Sequence, residues 1–458
     1  MSKQKRNLTL LLLIGALGMM AFPSHSSTSP DDPALLARGA YLARAADCNA
    51  CHRGVAPGSA DYSGGLAIST PMGNIIATNI TPSEQYGIGR YSEEQFKRAV
   101  TEGIRADGTH LYPAMPYSAY QGISDADIHA LYIWFQQSVP ASDNPPPETS
   151  LSFPWSVRGL MAIWNPLNAE LPESVASQKN PQIERGYYLT EVLGHCSACH
   201  SPRNIMMGED MGQRFSGGDI GGWHAPNITA DPVSGIGGWS DSDLSHYLKS
   251  GNLPGKGTAA GGMAEAVDHS LRYLSDNDIS AMIAYLRQIP AIRNSDDLTP
   301  AWQHNQKPQT AENIDHEAAL LYQQACAACH RCDGEGAYNN TFPSLNANTT
   351  TGSTRSNNLV KVILDGVQRE GAKSGGNMPA FGEALTDQQV AQLTNYVAHR
   401  FGNPSSQVSA SDVATLRAGG EKPLIVRLLP VFYGIAAVVI ILLIALFLRR
   451  SRRKGASQ

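Results

Sequence analysis

Residues 48–52 read CNACH, residues 196–200 read CSACH and residues 326–330 read CAACH. Six of the seven cysteines fall in these stretches: Cys48 and Cys51, Cys196 and Cys199, Cys326 and Cys329, with His52, His200 and His330 directly behind. Cys-x-x-Cys-His is the attachment signature of a c-type haem. Each thiol adds to a haem vinyl group, two intervening residues match the span between the vinyls, and the adjacent histidine then lies under the iron as proximal ligand. A lone Cys-x-x-Cys would also suit a disulfide, a thioredoxin-like redox pair or half of a zinc site. Zinc would want two pairs close together, and these lie far apart. A redox pair needs no histidine behind it three times over. The motifs therefore predict three covalently bound haem c groups.

Each iron then needs a sixth ligand or keeps an open position. Behind His330 the chain holds one methionine, Met378, in GGNMPAFG (375–382). The next histidine, His399, falls in an expected terminal helix, so Met378 is the better ligand. The first two motif regions are copies at a shift of 148 residues: TNITPSEQYGIGRYS from Thr78 matches PNITADPVSGIGGWS from Pro226. The same shift carries Met115, in LYPAMPY (111–117), onto Met263, in GGMAEAV (261–267). A register kept through both ligands marks an internal repeat. It selects Met115 over Met72, and Met263 over Met206, Met207 and Met211. Pro113 and Pro116 stiffen the chain beside Met115, and Pro379 follows Met378, but Ala264 follows Met263. His110 and His269 are rival ligands, expected on loop surfaces.

Ser124-x-x-Asp127, Ser275-x-x-Asp278 and Thr386-x-x-Gln389 read as capping boxes or close variants. Each opens an amphipathic stripe at helical spacing: Ile128, Leu131, Tyr132 and Phe135; Ile279, Met282, Ile283 and Leu286; Val390, Leu393 and Val397. A short helix leads into each motif, in RGAYLARAADC from Arg38, RGYYLTEVLGHC from Arg185 and EAALLYQQAC from Glu317. Helix, haem motif, loop with methionine, helix predicts an all-α chain of three tandem cytochrome c domains, at residues 34–138, 181–290 and 313–402. Linkers fill 139–180, 291–312 and 403–427. The apolar stretch PWSVRGLMAIWNPL from Pro154 should pack on a neighbouring domain.

The ends carry their own signals. Lys3, Lys5 and Arg6 precede a 15-residue apolar run, Leu8 to Phe22, and then small residues. Residues 1–26 read as a secretory signal peptide, the run being short for a membrane span. Residues 428–448 form an uncharged transmembrane helix, about 31 Å long at 1.5 Å per residue. The basic tail 449–458, with Arg449, Arg450, Arg452, Arg453 and Lys454, places the C-terminus in the cytoplasm and the haem domains on the periplasmic side of the inner membrane.

A formal net charge of -5 over 458 residues argues against a nucleic-acid binder. The stretch from Gly251 to Lys256 is one residue short of a P-loop and lacks its Ser/Thr. No Ser-His-acid set stands out, so no catalytic residue of its own is expected. Irons with two protein ligands leave no place for substrate, and a His/Met haem transfers electrons at a potential raised by the methionine.

The three haem motifs, the paired NIT…GIG segments, LYPAMPY and the C-terminal anchor resemble the triheme cytochrome c subunits of bacterial membrane-bound alcohol, aldehyde and gluconate 2-dehydrogenases. The resemblance covers nearly the whole mature chain. It implies a catalytic partner subunit with a flavin, pyrroloquinoline quinone (PQQ) or molybdenum cofactor, with or without a small third subunit. It implies electron delivery through the haems to ubiquinone in the membrane, with Met115, Met263 and Met378 as distal ligands. Two other readings stay open: a cytochrome feeding a terminal oxidase, and a self-contained haem enzyme such as a peroxidase, which needs a five-coordinate iron. Cys332 is left over, either a shielded free thiol or one half of a disulfide to a partner.

Overall fold

A computed structural model describes residues 32–168, 180–304, 315–369 and 377–455, with side chains to Arg449. The expected signal peptide lies outside these residues.

The Asp32 carboxylate accepts the Ala34 N–H, and Pro33 takes the first helical position, where no N–H is needed. These start α1 (Pro33–Ala45), which leads into the first haem motif, itself the short helix α2 (Cys48–His52). A hairpin of β1 (Ala67–Thr70) and β2 (Gly73–Ile76) follows, then α3 (Glu93–Thr101), α4 (Tyr117–Tyr120) and α5 (Asp125–Gln137). α5 folds back across α1. At the crossing, a Cβ on Gly39 would lie 2.2 Å from the Ala130 carbonyl oxygen, so only glycine lets the two backbones approach.

The stretch between the first two copies is described up to Asn168. β3 (Ser150–Leu151) adds antiparallel to β2, and α6 (Met161–Asn168) follows. This stretch is tied to its neighbours by hydrogen bonds, but its apolar side chains stay largely exposed instead of packing on a neighbouring domain as expected. Tyr112 donates to the Trp155 carbonyl (2.9 Å), Tyr117 to Asn165 Oδ1 (2.8 Å), and Trp164 Nε1 to the Met206 carbonyl (2.7 Å).

The second copy repeats the plan with α7 (Pro181–Tyr187), α8 (Ser197–His200), α9 (Asp241–Ser250), α10 (Gly261–His269) and α11 (Asp276–Leu286). Gly186 takes the part of Gly39, its Cβ position 2.0 Å from the Ala281 carbonyl oxygen. RGYYLTEVLGHC has one residue more before its cysteine than RGAYLARAADC. The chain absorbs it as a π-helical turn over Tyr188–Leu193, the usual result of a single insertion in an α-helix. Two hairpins, β4 (Gly218–Ile220) with β5 (Trp223–Ala225) and β6 (Asn252–Leu253) with β7 (Gly257–Thr258), complete this part. The second hairpin occupies the stretch that partly imitates a P-loop.

The third part has α12 (His316–Ala325), α13 (Ala327–His330), α14 (Asn357–Asp365), α15 (Asp387–Phe401) and α16 (Ala410–Arg417). Last comes α17 (Leu424–Gly455), long and apolar enough to cross a membrane, with none of its apolar span buried. The described chain is thus helix-rich, with short strands added to an expected all-α architecture.

Side-chain burial divides the body in two. One continuous core joins Leu42, Phe96, Ile128 and Phe135 of the first copy to Leu189, Leu244, Ile279 and Tyr285 of the second. A separate core holds Tyr322, Leu359, Val390, Phe401 and Val413 of the third part. A buried ion pair joins the two bodies. Arg369 meets Asp268 through Nε (3.0 Å) and Nη2 (2.8 Å) and also donates to the carbonyls of Ser250 and Gly251.

Candidate haem sites

Each motif is a short helical turn whose histidine points Nδ1 at a backbone carbonyl. His52 Nδ1 bonds the Thr78 oxygen at 2.6 Å, His200 Nδ1 the Pro226 oxygen at 2.6 Å, and His330 Nδ1 the Pro343 oxygen at 3.1 Å. A carbonyl only accepts, so Nδ1 carries the proton and Nε2 is left with its lone pair. Burial pushes the pKa of all three rings down, to about 4 for His200, which keeps them neutral.

The paired NIT segments hold two of those carbonyls in place. Thr78 and Pro226 directly precede Asn79 and Asn227. Each asparagine Oδ1 accepts from the backbone and hydroxyl of its own Thr81 or Thr229. Each Nδ2 donates into the following linker, Asn79 to the Ser142 carbonyl and Asn227 to the Ile292 carbonyl. The linker returns a bond from Ser142 N to Thr81 and from Ile292 N to Thr229. Repetition of these residues was visible in the sequence, but their use as straps behind the histidines was not.

The methionines sit on a second common element. α3, α9 and α14 each end at a glycine with positive φ: Gly103 (65°), Gly251 (68°) and Gly366 (73°), backbone conformations that glycine adopts without strain. The chain then doubles back. Leu111 N bonds the Gly103 carbonyl and Ala259 N the Gly251 carbonyl, both at 2.7 Å, and Val367 and Met378 exchange two backbone bonds. Met115 follows in a turn, its N–H on the Tyr112 carbonyl and its own carbonyl taking the Tyr117 N–H. Met115 and Met263 are partly buried and lie against the shared core, and Met378 is partly buried.

Three expectations change. Met263 is in the first turn of α10, not in a loop, because the helix-forming run Met-Ala-Glu-Ala-Val follows the two glycines. His269 closes the same helix with its side chain 13% exposed and Nε2 3.2 Å from Glu265, so it is not a loop-surface residue. Cys332 is exposed in this chain, not shielded.

The first motif abuts the methionine-bearing helix of the second copy. α2 touches α10, and Arg53, directly behind His52, pairs with Glu265, two residues beyond Met263 (2.9 Å). The buried Tyr120 donates to the Ala46 carbonyl, two residues before Cys48, and sets its ring edge-on to His195, the residue before Cys196.

All seven cysteines are free. Burial pushes the thiols of Cys48 and Cys196 up to about 12, and those of Cys51 and Cys326 to about 11, unlike a thiolate redox pair. No three His, Cys, Asp or Glu side chains gather into a metal-binding cluster among the described residues. Paired reduced thiols beside a neutral, oriented imidazole with a free Nε2 fit covalent haem.

Comparison with known proteins gives the same chemistry. The cytochrome c family model matches residues 316–400. The chain is 43% identical over 436 residues to the fructose dehydrogenase cytochrome subunit of Gluconobacter japonicus, covering 91% of this chain and 89% of that one. It is 38% identical to the gluconate 2-dehydrogenase cytochrome c subunit of Pantoea cypripedii (89% and 94% covered). It is 36% identical to the cytochrome c subunit of the quinone alcohol dehydrogenase of Gluconacetobacter polyoxogenes (88% and 89% covered). Identity at this level over nearly the whole of both partners makes the chain a member of the family of dehydrogenase cytochrome c subunits, haem-bearing electron-transfer proteins.

Proposed function

We propose that this chain is the membrane-anchored triheme subunit of a dehydrogenase complex, taking electrons from a catalytic subunit and passing them to ubiquinone. The observation that carries the haem count is the threefold recurrence of one arrangement: a Cys-x-x-Cys-His turn whose histidine Nδ1 is tied to a backbone carbonyl. The tandem domains are residues 34–138, 181–290 and 313–402. Haem attaches at Cys48 and Cys51, Cys196 and Cys199, Cys326 and Cys329, with His52 and Met115, His200 and Met263, His330 and Met378 as axial pairs.

Bound haem supplies a one-electron couple at each site. The chain does the rest. The carbonyl bond fixes each imidazole plane and raises its donor strength. The glycine-ended helices present a thioether from a constrained segment, and the core shared by the first two copies holds their helices together. The contact of α2 with α10 brings two sites together without an intervening subunit.

The partner is a catalytic subunit of flavin, PQQ or molybdenum type, with or without a small third subunit. Its substrate class is an alcohol, sugar or sugar acid, as the names of the relatives suggest, or an aldehyde, as the motif resemblance implies. α17 anchors the complex in the inner membrane, with the haem domains periplasmic and the basic tail cytoplasmic. Rapid-mixing absorbance on the purified complex tests the reading. Substrate should reduce the haems only when the catalytic subunit is present, and a short-chain ubiquinone should reoxidise them. Haems that react with peroxide but not with quinone would overturn it.

A further inference from the structure

α6 is a helix of mostly apolar residues, MAIWNPLN, and buries none of them. Phe153, Ile163 and Leu167 are each about two-thirds exposed (65%, 66% and 67%), and Val157 is 45% exposed. Ile205 (62%) extends the patch from the second copy; Trp164 ties its neighbour to α6 by a bond to the Met206 carbonyl. The only charged residue between 150 and 168 is Arg158. It is turned inward, stacked over Tyr112 at 4.4 Å and donating to the His110 carbonyl. An uncovered apolar face of this kind marks an interaction surface.

The patch is joined to α17. Tyr433 donates a 2.7 Å hydrogen bond to the Phe153 carbonyl, and the two rings stack at 6.3 Å. Tyr433 stands five residues beyond Leu428, about 7.5 Å along the helix. An interfacial segment buries its apolar face roughly 5–10 Å into the boundary between headgroups and acyl chains. Trp155 and Trp164 flank the patch, and tryptophan favours that boundary.

We propose that residues 153–167, with the adjoining Ile205, form a second membrane contact, seated in the leaflet at the N-terminal end of α17. This rests on the reading of α17 as the membrane anchor. With α17 in the bilayer, Phe153 is held at the level of the lipid, where a water-soluble catalytic subunit does not reach. Because the one charged residue of 153–167 is turned inward, that stretch is a surface for acyl chains, not for anionic headgroups; the exposed cations Arg203 and Arg427 lie outside it. Its consequence is orientation: one helix is a hinge, whereas a helix plus a lateral patch fixes the tilt of the haem-bearing body.

The test is photolabelling of the intact complex in phosphatidylcholine vesicles, using a phosphatidylcholine with a diazirine on its acyl chain, followed by peptide mass spectrometry. The expected result is label in both 153–167 and 428–448, at yields within about tenfold of each other. It should persist at high salt, since no ion pairing is involved. Label in 428–448 with only background in 153–167 would overturn the patch and leave the anchor standing, and would point to a protein subunit covering α6. Label in neither would overturn both. Ile163→Lys with Leu167→Lys in the full chain should lower label in 153–167 several-fold, with the haem spectrum and anchor labelling unchanged. If that variant fails to fold, the wild-type map still decides.

Discussion

Tyr41 of the first repeat donates its hydroxyl to Asp278 of the second (2.5 Å), and Tyr188 of the second donates to Asp127 of the first (2.7 Å). The exchange is reciprocal in detail. Each tyrosine oxygen also accepts the N–H of the cap serine, Ser275 for Tyr41 and Ser124 for Tyr188. Each aspartate is further held by the arginine of its own repeat, Asp127 by Arg38 and Asp278 by Arg185. The two repeats therefore hold each other through an approximate two-fold relation, over the core they share.

Tyr41→Phe and Tyr188→Phe should each destabilise the paired repeats. Each change removes a hydrogen bond to a carboxylate with little exposed surface, worth about 1.5 kcal/mol. Thermal unfolding followed at the haem absorbance should show both losses, and the third domain should keep its own transition.

The same contact fixes a pH window. Burial acts to raise the Asp278 pKa, but the bonds from Arg185 and Tyr41 overcome it and leave the carboxyl below its ordinary value of 3.8. Burial, reinforced by Asp278, raises the Tyr41 phenol above its ordinary 10.0. A depressed carboxyl stabilises fully above its unfolded pKa and loses that effect as pH falls through the folded one. A raised phenol stabilises fully below its unfolded pKa and loses that effect as pH rises through the folded one. Stability from this contact should therefore be flat between about pH 4 and 10 and fall on both sides. Asp278→Asn should flatten the acid limb in melting curves taken against pH.

On the proposed axial assignments, Met115→Ala and Met263→Ala should each open one sixth position and lower that haem's potential, because thioether ligation raises it. Near-infrared charge-transfer intensity should fall by about a third in each variant, one of three haems being affected. Met206→Ala should change neither the band nor the potentials, which a redox titration would show.

Arg369→Leu should loosen the third part of the chain from the first two repeats. It removes the two-bond partner of the buried Asp268, which keeps Arg272 at 3.5 Å, so the cost falls below the roughly 3–5 kcal/mol of a fully unpaired buried charge. Limited proteolysis should then release a fragment containing 315–417 that retains its haem. Uncleaved protein with wild-type melting would contradict the clamp.

Much of this was legible in the chain. The spacing of the motifs, the 148-residue register and the cap serines all act locally, and local patterns survive into structure. The serines at 124 and 275 do cap their helices. The aspartates three residues on do not complete a box as Gln389 does for Thr386. Instead they face the other repeat, and no pattern within one repeat contains that information. The π-turn was implicit in a one-residue difference of length. The helical setting of Met263 was hidden by Gly261 and Gly262, which read as a loop until the helix formers behind them are weighed. The strap function of Asn79 and Asn227 needs the linkers at Ser142 and Ile292, distant in sequence.

The central claim is that this one chain carries three covalent haems, one on each Cys-x-x-Cys-His turn. Mass spectrometry of the intact mature protein, with a protease digest to localise each haem, tests it most directly. The prediction is a mass increment of three haems, with haem-bearing peptides spanning 48–52, 196–200 and 326–330. A chain carrying one or two haems, or a motif peptide recovered with free thiols, would contradict it.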